Sequence, residues 1–100
     1  MTEPPELEAR WLRLTREALP AVAAERGWPV RLDHCFQRIL LDSAHGGRWY
    51  DFVERRPAFR HCDEAALARA VALAEAALAG EADLHALNHR SLEWRGKRRA

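Results

Sequence analysis

Both cysteines of this chain directly follow a histidine: His34-Cys35 in the string RLDHCFQRILLD and His61-Cys62 in RPAFRHCDE. An aspartate flanks each pair, Asp33 before the first and Asp63 after the second, so imidazole, thiol and carboxylate meet twice in 100 residues. Imidazole nitrogen and thiolate are the preferred zinc ligands, and a neighbouring histidine is one way a cysteine acquires the low pKa of a nucleophile. The spacing weakens both readings. Adjacent side chains on a helix diverge by about 100°, so a His-Cys dipeptide does not readily share one ion. His85 and His89, one helical turn apart, add two more nitrogen ligands, but without the glutamate that makes HExxH a metalloprotease signature. Helical spacing also separates the two members of the first pair. Cys35 falls with Leu32, Phe36, Ile39 and Leu40 on an apolar face, whereas His34 falls with Arg38, Asp42 and His45 on a polar one. The expectation is therefore no cofactor, with packed thiols. Zinc, or a small His/Cys enzyme using His34, Cys35, His61 and Cys62, is the alternative.

A second set of residues has the chemistry of anion recognition. Arg31, His34, Arg38, Arg48, Arg55, Arg56, Arg60 and His61 crowd the middle third of the chain, interleaved with Trp49, Tyr50, Phe52 and Phe59. Guanidinium groups neutralise phosphates while aromatic faces accept bases, so this mixture suits nucleic acid, and it suits an acidic protein surface as well. Asp42 joins the set because His34, Arg38 and Asp42 recur at four-residue intervals along helix two, where imidazole, guanidinium and carboxylate could form an acid-base group with an anion clamp. The expected contact residues are thus Arg31, His34, Arg38, Asp42, Arg48, Trp49, Tyr50, Arg55, Arg56, Arg60 and His61. The competing explanation of the same residues is a solvated helix face with Arg38 paired to Asp42, and Trp49, Tyr50 and Phe52 plugging the core.

The helices that must position these groups follow from apolar periodicity. The first runs from about Glu6 to Arg26, with Pro20 either kinking it or opening a second helix, and Gly27 ending it. The second runs from Val30 or Leu32 to Ala44 and stops at Gly46-Gly47. A short turn is expected over Arg48 to Val53, then an irregular stretch through Arg55-Arg56-Pro57 to His61. Asp63 is placed to cap an amphipathic helix reaching Ala79, with Leu67, Ala70, Val71, Ala74, Ala77 and Leu78 inward and Gly80 as terminator. The last helix runs from about Ala82 to Trp94 with Leu84, Leu87, Ser91 and Trp94 inward, and residues 96–100 are expected as a mobile basic tail. No stretch alternates with period two. The fold class is all-α: a compact single domain of four to five helices over residues 1–100.

Composition bounds the rest. At 48% hydrophobic and 31% charged, the chain has the make-up of one globular domain. Its net charge of +1 is unevenly placed: five basic residues against Glu93 from Arg90 onward make +4, and 11 basic against 14 acidic elsewhere make −3. Fifteen of the sixteen basic residues are arginine, which suits bidentate anion contacts and equally fits a GC-rich gene. An acidic N-terminus without an apolar stretch, and no run near the roughly 20 apolar residues of a membrane span, imply a cytoplasmic protein with no membrane partner. The preferred reading is a binding or regulatory domain for nucleic acid or an acidic protein. Self-association through an apolar stripe is a third option.

Overall fold

The structure, a computed structural model, describes residues 4–96; the expected basic tail lies outside them apart from Gly96. The chain opens with a helical rod in three pieces: α1 (Pro4–Arg13), a π-helical turn (Leu14–Ala18) and α2 (Leu19–Ala23). Proline inside an α-helix lacks a donor and presses on the carbonyl four residues back. Here the turn before Pro20 widens, the Leu19 amide donates to the Leu14 carbonyl, and Pro20 sits in the first turn of α2. The proline is thus absorbed by a π turn, and the helical run continues to Ala23 before a turn ends at Gly27 (φ +66°).

α3 (Asp33–His45) follows, then a 3₁₀ turn (Trp49–Asp51), the one-turn α4 (Ala58–His61), α5 (Glu64–Leu78) and α6 (Leu84–Trp94). Counting the rod once, these are five helical units, with no strand among the described residues. The all-α single domain read from periodicity is the one observed, and its radius of gyration of 12.7 Å is that of a compact chain of this length. No helix among the described residues is long and apolar enough to cross a membrane.

α3 is the hub. It packs on α5, α6, α2, the π turn and the 3₁₀ turn, while α5 also packs on α1. Alanines at Ala66, Ala70, Ala74 and Ala77 line the buried side of α5, and small side chains let helices approach closely. Trp11, Leu19, Phe36 and Leu40 fill the centre with no exposed surface. Trp28 meets Phe36 edge-on, ring centroids 5.8 Å apart. Side chains close helix ends across the core: Arg26 donates to the Ala77 carbonyl and Arg69 to that of Ala44.

Gly46 terminates α3 in the left-handed region (φ +75°), and its amide and that of Gly47 both donate to the Asp42 carbonyl. Only glycine adopts that angle without a steric penalty. Gly46→Ala should therefore cost about 1 kcal/mol in urea unfolding. A neutral effect would show that the turn is free to change shape.

Several packing expectations are corrected. Leu32, assigned to the apolar face, is 58% exposed because it is the extended residue preceding α3 rather than a member of it. Tyr50 and Phe52 do not plug the core; both are exposed, with Phe52 stacked on His45. Cys35, Leu78, Leu87 and Trp94 are only half-buried. Asp63 stands at the start of α5, but its side chain accepts no capping hydrogen bond.

Candidate functional site

The polar side of α3 is only partly solvated, because α6 lies over its Arg38–Asp42 portion while His34 stays exposed. Asp42 is completely buried. Its carboxylate accepts hydrogen bonds from the Ser91 hydroxyl (2.6 Å), the Trp49 amide (2.9 Å), and Arg95 through both Nε (2.8 Å) and a terminal nitrogen (3.0 Å). Arg38 does not pair with Asp42, as the solvated-face reading required; it donates to the Ser91 hydroxyl at 2.8 Å and to the Asn88 side-chain oxygen at 2.7 Å. Ser91 therefore joins the two guanidiniums, accepting from Arg38 and donating to Asp42. Such chains of hydrogen bonds polarise one another. Arg95 holds the carboxylate directly, and Arg38 has neutral hydrogen-bond partners only. Burial lowers the Arg38 pKa from its ordinary value and the nearby Arg95 adds to this, while Cys35 and Asp42 oppose it. Arg95 is shifted the other way, chiefly by its hydrogen bond to Asp42.

In front of this network lies a cleft of about 600 Å³, lined by His34, Gln37, Arg38 and Leu41 of α3, Trp49 of the 3₁₀ turn, residues 56–59, and Arg95. The four α3 residues are spaced i, i+3, i+4 and i+7, a single helix face. The helical turn angle explains why Leu41 lines the cleft and Asp42 lies behind it. At about 100° per residue, position 41 returns to within about 20° of His34, whereas position 42 is about 80° further round. Arg56 at the mouth places its guanidinium 5.2 Å from the Trp49 ring centroid. Among the described residues no carboxylate lines the cleft.

Of the expected contact residues, His34, Arg38, Trp49 and Arg56 line this cleft and Asp42 backs it. The others do not line it. Arg48 is paired with Asp51 at 2.9 Å and lies over Tyr50, which Arg95 also covers at 5.0 Å. Arg60 lies 4.0 Å from Glu8, and Arg31, Arg55 and His61 are exposed. Gln37, Leu41, Pro57 and Arg95 line the cleft without being among the expected contact residues, and Phe59, named only as one of the interleaved aromatics, lines it too. Arg95 had a readable signal: Asn88, Ser91 and Arg95 recur at helical spacing on α6, a polar face matching that of α3.

The chain matches no family model, no curated protein and no solved structure. The chemistry of the cleft must therefore carry the functional reading.

The first His-Cys dipeptide divides in the direction helical spacing implied, though Cys35 is less buried than expected. His34 is exposed at the cleft, Cys35 is half-buried, and both cysteines are free thiols. Burial raises the Cys62 pKa, the charges of Asp63 and Glu8 adding to the effect against a local hydrogen bond; a nucleophilic thiol needs the opposite shift. Among the described residues no three His, Cys, Asp or Glu side chains are grouped to hold a metal. His85 and His89 line a separate concavity of about 530 Å³ of mixed charge, where His85 contacts the Gly27 carbonyl at 3.0 Å and His89 lies 3.5 Å from Glu93.

Proposed function

We propose that this chain is a small binding domain for an anionic partner, with the cleft between α3, residues 49–59 and the end of α6 as its contact. The charge balance carries the reading. Arg38, Arg56 and Arg95 converge on one cleft, and the single carboxylate beside them, Asp42, is sealed behind it and held by Arg95. Among the described residues two positive charges are left without a counter-charge, one of them half-buried. In a partly desolvated cleft such charges attract an anion more strongly than they would in water. Trp49 beside Arg56 favours nucleic acid as the first partner to test, since bases stack on aromatic and guanidinium planes. An acidic protein segment is the second. Arg31 and Arg55, exposed and without ion-pair partners among the described residues, would steer either one toward the cleft.

The test is fluorescence anisotropy with a labelled oligothymidylate between ~50 and ~200 mM salt, with an acidic peptide in parallel. Two uncompensated arginines predict a slope of log affinity against log salt of about −1.4 on a single strand. Arg56→Gln should reduce the slope to about −0.7. No binding of either probe, or salt-independent binding, would remove this function.

A further inference from the structure

We infer that the cleft takes one oxyanion, carboxylate or phosphate, borne on a flat apolar ring; this rests on the anion-binding reading above and names the group recognised. Donor geometry comes first. A guanidinium has five N–H donors; Arg38 and Arg95 each use two within the fold. Among the described residues three remain on each, and Arg56 makes no hydrogen bond there. These donors stand around one concavity rather than along a groove. Of the neighbouring basic residues, Arg48 is paired with Asp51 and Arg60 lies near Glu8, while Arg31 and Arg55 stand outside the cleft. One anionic group is therefore the natural complement.

Volume and lining supply the second half. A space of about 600 Å³ equals the liquid volume of about twenty waters, so an isolated phosphate would leave most of it filled with solvent. Its other wall is apolar, formed by Leu41, Trp49, Pro57 and Phe59. Pockets of this size and mixture hold small organic ligands. A rigid ring covers such a wall with less entropy lost than a flexible chain, and its plane matches the indole of Trp49. The oxyanion and its flat ring are supplied either by a free small molecule or by the phosphate and base of a nucleotide within a strand.

The experiment is an NMR titration of the full chain with inorganic phosphate, phenyl phosphate and oligothymidylate, observing the Trp49 indole N–H. Phenyl phosphate should bind about 30-fold more tightly than inorganic phosphate, the gain expected for burying a phenyl ring. Arg56→Gln should weaken both by about tenfold. Trp49→Leu should collapse the preference for the ring; if that variant does not fold, the exposed Arg56→Gln together with the wild-type ratio decides. Displacement of bound oligothymidylate by phenyl phosphate supports the inference and assigns the site to a nucleotide in a strand, while phenyl phosphate binding without displacement supports a free small anion. Equal binding of the two phosphates overturns the inference and leaves anion recognition intact. Oligothymidylate binding with neither phosphate bound overturns it in favour of an extended surface. If none of the three binds, the proposed function fails and the inference fails with it.

Discussion

Asp42→Ala should cost about 3–5 kcal/mol in urea unfolding, because it strands groups that the native carboxylate satisfies. Asp42 has no exposed surface and is the shared acceptor for Ser91, Arg95 and the Trp49 amide. Removing it leaves the Arg95 guanidinium partly buried without a counter-charge and orphans the Trp49 N–H. Small domains are stable by only about 5–15 kcal/mol, so this one substitution consumes a large share. Arg95→Ala should be costly for the converse reason, an unpaired buried carboxylate. The double variant should be less destabilised than the sum of the two, since each single change already breaks the pair. A loss below about 1 kcal/mol for Asp42→Ala would mean that water reaches the network and that α6 is not held by it. The same variant should weaken ligand binding, because Asp42 positions both Arg95 and Trp49.

Phe36→Ala should be comparably severe, about 3–5 kcal/mol, by a different mechanism. Phe36 has no exposed surface and packs edge-on against Trp28, which lies beyond the Gly27 turn. Truncation removes the ring from an apolar site and leaves a cavity between the first helical rod and α3, and cavity volume adds to the transfer cost. Phe36→Leu, which keeps most of the volume, should cost less than about 1.5 kcal/mol. Chemical denaturation of both variants provides the comparison. If the alanine variant loses no more than the leucine variant, the core has closed around the gap and α3 is not the rigid hub described.

Helix identity was legible because its signals are local. The Asp33–His45, Glu64–Leu78 and Leu84–Trp94 helices each differ from the periodicity reading by a residue or two, and Gly46 and Gly80 end helices at positive φ as expected. The response to Pro20 was less legible. Periodicity marks an interruption, but whether a chain kinks or widens into a π turn depends on what holds the flanking residues, here Thr15 buried with its hydroxyl on the Trp11 carbonyl.

The site was legible only in part. His34, Arg38, Trp49 and Arg56 are visible as an arginine and aromatic concentration. Arg48 and Arg60 belong to the same concentration, and carboxylates at Asp51 and Glu8 occupy them. Composition counts charges without counting their partners. The expected Arg38–Asp42 pair illustrates the limit: residues four apart on a helix lie within reach, yet the side chains that hold both come from α6 and the residue after it, 49 to 53 residues away.

By itself, then, the amino-acid order determined that this protein is all-α, roughly where its three longer later helices start and stop, and that His34 and Cys35 fall on different faces of one helix. Those properties follow from a 3.6-residue period and from glycine and proline geometry, which act within a few residues. Tertiary structure alone decided that α6 covers Asp42 and part of the polar face of α3, that Asp42 is buried behind the cleft, and that Arg95 lines it. A buried carboxylate is tolerable only where donors meet it in three dimensions, and no local spacing specifies where those donors come from.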